Sequence, residues 1–239
     1  MMIFEFIFIK RKWAFDRYIM SRLLTRAKKD PLPLLLLIFP EGTVITPDTQ
    51  AKSMDYAKKM DLKENFKHVL IPKTTGLQYC LEVLRPEVKR LLDITVGYEG
   101  LQDHHCPYDE YPLSKVFFEG KGPKEIHLHL RSYNVDDIPG LAQPGCHSDN
   151  MEIAIEKERA DIFAKWMRER FSEKDTLSKQ FYKTRHFDNQ SPRRVIEIVP
   201  TVMDWLRLIM LWITGLFVMV LTIMIMKFIW HGIMNGMSQ

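Results

Sequence analysis

Two rhythms of apolar and polar positions run along this chain, one of period two and one of period near 3.6. Residues 3–9, IFEFIFI, read as a strand. Residues 13–28 place Phe15, Ile19 and Leu23 at four-residue intervals, the stripe of an amphipathic helix. The DPLP at 30–33 stops it. LLLLIF at 34–39 is an unbroken apolar run bounded by prolines, which predicts a strand buried on both faces. A PEGT turn follows, and 49–60 read as a helix capped by Asp48 or Thr49. HVLIP at 68–72 predicts another strand, 76–92 a helix interrupted by Pro86, and DITVGY at 93–98 a third strand. Over 124–133, Ile126, Leu128 and Leu130 alternate with His127, His129 and Arg131. That is the pattern of a half-buried strand with its histidines in solvent. Strands that alternate with helices define an α/β fold, with a mixed, largely parallel sheet and flanking helices.

The C-terminal third changes character. Residues 151–171 carry a strong amphipathic helical pattern through Ile155, Ile162, Phe163, Trp166 and Met167. Residues 208–226 then run for nineteen positions without a charge, bracketed by Arg207 and Lys227. At about 1.5 Å per residue such a helix reaches ~28 Å, close to the hydrocarbon thickness of a bilayer. Trp205, Trp212 and Trp230 lie toward its ends, where interfacial indoles are expected. Arg193, Arg194 and Arg207 precede the run and only Lys227 soon follows it, which places the bulk of the chain in the cytosol. The organisation read from this is a domain over 1–150, a helical extension over 151–182, a linker over 183–204 and a transmembrane anchor over 205–230. The domain would be N-terminally incomplete, because a chain seldom opens on a core strand. MMIFEFIFI lacks a basic leader and contains Glu5, so it is no signal peptide.

Composition adds less. The chain has 239 residues, 46% hydrophobic and 27% charged, which excludes disorder as its main state. Cys80, Cys106 and Cys146 are too few and too far apart for a disulfide scaffold and suit a reducing compartment. Residues 1–30 hold eight Lys/Arg against Glu5, Asp16 and Asp30, a local charge of +5, while the whole chain is only +4. A basic segment of this kind favours an anionic partner such as a phosphate or an anionic membrane surface; nothing points to nucleic acid.

The chemistry concentrates at Phe39-Pro40-Glu41-Gly42-Thr43. An apolar run ends there in a turn that carries a carboxylate, a glycine and a hydroxyl. Gly42 lets a ligand or another backbone approach, and successive N–H groups can cradle an anion. Phe8-Ile9-Lys10-Arg11 lies upstream and Val69-Leu70-Ile71-Pro72 downstream. In order and spacing these three segments resemble motif blocks of the glycerolipid acyltransferases, which acylate 1-acylglycerol-3-phosphate and other lysophospholipids. KRKW at 10–13, IPKTTG at 71–76, ITVGYEG at 94–100 and WMRERFSEKDTL at 166–177 resemble the lysocardiolipin and lysophosphatidylinositol acyltransferase-like branch. The resemblance covers about residues 2–182.

That resemblance implies transfer of a fatty acyl group from acyl-CoA to the free hydroxyl of a lysophospholipid, with no metal or bound cofactor. It implies that Arg11 holds the acceptor's phosphate through its guanidinium fork. Glu41 would fix an arginine or accept from an acceptor hydroxyl, and the N–H groups of Gly42 and Thr43 would face the anion. It also implies a catalytic Asn-His-x4-Asp block upstream of FIKR, whose His removes the hydroxyl proton. The 239 residues contain no such block, so this chain is expected to be a nearly inactive, truncated form of an endoplasmic-reticulum membrane enzyme. His104 and Asp109 repeat the H-x4-D spacing as a weak substitute, in what reads as a surface loop. Two other functions stay open. One is a non-catalytic lipid-binding membrane protein. The other is a zinc-dependent protein S-palmitoyltransferase, whose Asp-His-His-Cys signature occurs at 103–106 but without the cysteine framework that zinc requires.

Overall fold

The computed structural model describes residues 7, 10, 12–103, 105–142, 153–187, 192–197 and 201–236. The strand expected over 3–9 lies outside this set apart from Ile7, and so do Arg11, His104 and Cys146. Two units follow one another, 1–189 and 190–239.

The first unit opens with α1 (Trp13–Lys29), which buries Met20 and Leu24 one turn apart. The run 34–39 is extended but has no ladder partner among the described residues. Its period is two: Leu34, Leu36 and Ile38 pack on the core, while Leu35 and Phe39 are 88% and 73% exposed. The expectation of burial on both faces is therefore corrected to burial on one. Helix α2 (Pro47–Lys59) starts earlier than the sequence suggested. Thr46, not Asp48 or Thr49, is its cap, and its hydroxyl accepts from the Thr49 N–H while Thr49 Oγ1 accepts from the Thr46 N–H. The segment 68–72 likewise joins no ladder among the described residues.

Helix α3 (Thr74–Leu84) presents Cys80 and Leu84 to α1, and Leu77 and Leu81 to a second cluster with Phe66, Val69, Val135, Ile138 and Leu141. It stops at Leu84 rather than running to 92, because Pro86 cannot continue it and Arg85 is held elsewhere. The buried Arg85 guanidinium donates to Asp136 Oδ1 at 2.8 Å, to the Ala142 carbonyl at 2.7 Å and to the Asp136 carbonyl at 3.2 Å. This partner holds the exposed Asp136 carboxyl below its ordinary range.

Strands β1 (Arg90–Tyr98) and β2 (Ile126–Asn134) form the sheet, joined through α4 (Pro107–Glu110) and α5 (Leu113–Phe118). They pair antiparallel from Arg90 opposite Asn134 to Tyr98 opposite Ile126. Among the described residues the sheet has these two strands alone, so the largely parallel sheet read from the sequence is not what forms.

Helix α6 (Ile153–Thr184) extends thirteen residues past the 171 boundary of its amphipathic pattern and lies on one face of this sheet. It covers the polar face. Asp93, Thr95, His127, His129, Arg131 and Tyr133 point toward it, and Leu92, Ile94, Val96, Ile126, Leu128 and Leu130 point away and are exposed. The expected orientation of β2 is thus inverted: the histidines are inside and the aliphatics outside. Paired charges make this possible. Arg131 bonds Asp93 at 2.8 Å and also Glu173, and the Lys174 ammonium sits 2.6 Å from Asp93 and donates to the Ile94 carbonyl at 2.8 Å. Aromatic contacts complete the layer: the His127 ring meets Phe181 at 5.1 Å, His129 meets Phe187 at 5.7 Å, and the two phenylalanines stack at 4.8 Å. Phe163, at no exposure, Met167 and Phe171 anchor the helix in the core.

The second unit holds α7 (Val202–Gly236). Thr201 and Asp204 bond reciprocally at its start. From Val202 to Lys227 it is a 26-residue helix long and apolar enough to cross a membrane, with exposed apolar side chains throughout the described part.

Candidate functional site

The turn at 40–43 is closed by the Gly42 N–H, which donates to the Phe39 carbonyl at 3.0 Å. Gly42 has φ +69°, a conformation that favours glycine. Its missing side chain also makes room: a Cβ there would stand 3.3 Å from Lys73 Nζ. The segment before α3 is tied by two backbone donors to the turn and by a third to α2. The Lys73 N–H reaches the Pro40 carbonyl at 2.8 Å, the Leu70 N–H reaches Glu41 Oε2 at 3.2 Å, and the Ile71 N–H reaches Ser53 Oγ on α2 at 3.0 Å. On the other side, Thr49 Oγ1 donates to the Val44 carbonyl at 2.8 Å. The FPEGT and IPK segments, thirty residues apart in sequence, therefore fold as one piece.

These bonds bear on two expected roles. Glu41 turns inward and serves as the acceptor that holds Leu70; no arginine partners it among the described residues. Burial pushes its carboxyl up to about 7, against the opposing pull of the Leu70 N–H and the Lys174 charge. The Gly42 N–H is occupied by the turn bond, so it does not face outward as an anion donor. Thr43 is exposed, and among the described residues nothing in the protein bonds it. Sequence reasoning missed Lys73. Its ammonium lies over Gly42 with no carboxylate in ion-pair reach among the described residues, and the signal was the lysine inside IPKTTG.

Arg11 lies outside the described residues, but its flanks are fixed. Buried Asp16 on α1 accepts the Lys10 N–H at 2.7 Å and donates its own N–H to the Lys12 carbonyl at 2.9 Å. Of the substitute pair, His104 lies outside the described residues and Asp109 is exposed on α4. In the same loop, the Cys106 thiol donates to the Ile45 carbonyl and His105 Nδ1 lies 3.1 Å from Glu110. Among the described residues no cluster of His, Cys, Asp and Glu could hold a metal. Cys80 is inert by burial, its thiol pushed up to about 12. His68 is a further buried imidazole. Its Nε2 is 3.2 Å from Asp103 Oδ1, within ion-pair range but outside hydrogen-bond geometry.

Known acyltransferases are similar to this chain in sequence. The chain is 34% identical over 217 residues to the 2-acyl-1-lysophosphatidylinositol acyltransferase of Saccharomyces cerevisiae, covering 77% of this chain and 50% of that protein. It is 33% identical over 184 residues to lysocardiolipin acyltransferase 1 of Gallus gallus, covering 76% and 42%. To the 1-acyl-sn-glycerol-3-phosphate acyltransferase 2 of Arabidopsis thaliana it is 26% identical over 205 residues, covering 84% and 46%. These proteins are all acyltransferases by name. The chain belongs to the glycerolipid acyltransferase family. It spans about half the length of the curated relatives it matches. No family model matches the sequence, and no solved structure matches the fold.

Proposed function

We propose that residues 1–239 form the acceptor-binding part of an acyl-CoA-dependent lysophospholipid O-acyltransferase, held by α7 in the endoplasmic-reticulum membrane with the first unit in the cytosol. The observation that carries this reading is the turn 40–43, whose outer side offers Thr43 and the Lys73 ammonium beside a glycine. The acceptor's phosphate takes the Lys73 cation and the Arg11 guanidinium, and its glycerol hydroxyl lies toward Thr43. A base removes the hydroxyl proton, the oxygen attacks the thioester carbonyl, and CoA leaves as a thiol after taking up a proton. CoA is a carrier consumed as substrate, and the reaction needs no metal.

Binding of lysophosphatidic acid and of monoacylglycerol to the detergent-solubilised chain tests this. The phosphate-bearing lipid should bind more tightly. Lys73→Ala and Arg11→Ala should each weaken it by roughly 10- to 150-fold, the loss expected for a charge-assisted contact of about 1.5–3 kcal/mol, with Lys12→Ala near neutral. Equal affinity for the two lipids would remove the phosphate role. The sequence contains no Asn-His-x4-Asp, so turnover of acyl-CoA by these residues alone should be slow. A positioned base typically contributes about 10²–10⁴-fold.

A further inference from the structure

The connection between β1 and β2 ends in a tip that water does not favour. On α5, Leu113 is 74% exposed, Phe117 76% and Phe118 89%. The loop folds so as to keep them outside. The N–H groups of Glu119 and Lys121 both donate to the Lys115 carbonyl, and Gly122 packs close to Val116. The return segment thus covers the Val116 side of α5 and leaves the phenylalanines bare.

The charges around this tip are unequally matched. Glu110 lies against His105, Glu119 against Lys121 at 2.9 Å, and Glu125 against His127 at 3.4 Å. The connection's remaining carboxylates are Glu99 beside Glu125, Asp103 at 3.2 Å from His68, and Asp109 on α4. Lys115 and Lys124 have no carboxylate within ion-pair distance among the described residues. Adjacent bare aromatics flanked by unmatched lysines fit a lipid interface. The rings occupy the headgroup–acyl boundary and the ammonium groups stay at phosphate level.

We propose that the α5 tip is an interfacial membrane contact, with Phe117 and Phe118 as the inserted side chains and Lys115 and Lys124 as the groups that meet lipid phosphates. This rests on the reading of α7 as a membrane anchor, which keeps a bilayer within reach of the first unit.

The full chain carrying Phe118→Trp, reconstituted into phosphatidylcholine vesicles with and without phosphatidylserine, provides the test. The five native tryptophans are common to wild type and variant, so the difference in emission reports position 118. Brominated acyl chains should quench that added emission about twofold or more, and aqueous iodide should not, as for a ring at the acyl boundary. Lys115→Glu with Lys124→Glu should reduce the quenching on anionic vesicles and leave it unchanged on neutral ones. Carbonate extraction of the same vesicles separates the two readings. Iodide quenching without bromine quenching, in a chain that resists carbonate, overturns the contact and leaves the anchor standing. The same result in a chain that carbonate releases overturns both. Bromine quenching in a released chain keeps the contact and removes the anchor.

Discussion

Glu41 is a residue whose type the sequence singled out and whose role only its surroundings define. Its carboxyl has an ordinary value of 4.5 and is raised to about 7 in the fold, chiefly by burial. Below about 4.5 it is protonated in both the folded and the unfolded chain. Between 4.5 and 7 the unfolded chain releases the proton and the folded chain keeps it, so stability falls as pH rises through that window. Glu41→Gln should remove this dependence. Its unfolding free energy should gain on that of wild type from pH 4.5 to pH 7 by on the order of 2 kcal/mol, allowing for partial solvent screening, with a matching rise in relative melting temperature. Thermal unfolding by circular dichroism across this range is the check, and a constant difference would show that the carboxyl titrates normally. The neighbouring site was partly legible. FPEGT announced a turn with a glycine, because only glycine adopts φ +69° readily. That the Gly42 N–H closes the turn, and that Lys73 stands over it, depends on a backbone bond from Lys73 to Pro40 across thirty-three residues, which no local pattern encodes.

At the scale of elements, the positions of the helices were legible and their buried faces less so. The spans 13–28 and 151–171 became α1 and the first part of α6. But α1 buries Asp16, Met20 and Leu24 instead of the Phe15, Ile19 and Leu23 stripe, and on α6 Phe163 and Met167 are buried while Ile155 and Ile162 are exposed. Strand β2 was read with its faces reversed. Alternation identifies two faces but does not say which is covered, and here charge pairing and ring contacts made the polar face the better seat for α6. The seam is tight at Gly97, where a Cβ would meet the Phe181 ring at 2.6 Å. Gly97→Ala should therefore destabilise the unit by about 1–3 kcal/mol through overpacking. Phe181→Leu in the same chain should recover part of that loss, a coupling measurable by urea unfolding of the four members of the cycle. Strictly additive effects would mean that α6 shifts freely over Gly97.

At the scale of the whole molecule, α7 is long and apolar enough to cross a membrane, and the proposed function makes it the anchor. Deleting residues 202–236 should convert a carbonate-resistant protein into one that carbonate releases, since the contact at α5 is peripheral. Continued resistance in the deleted form, measured on isolated membranes, would require a second integral element. Nineteen consecutive uncharged residues fixed the expectation of a spanning helix without reference to any partner, because hydrophobicity and length are properties of the segment itself. The motif blocks likewise fixed the family, since they are carried by residue identity in order. The tertiary structure alone decided the rest. It paired β1 with β2 antiparallel, set the polar face under α6, turned Glu41 inward and brought Lys73 to the turn. Each of these outcomes depends on how charge desolvation, ring packing and backbone bonding balance between segments far apart in sequence, and that balance exists only once those segments are in contact.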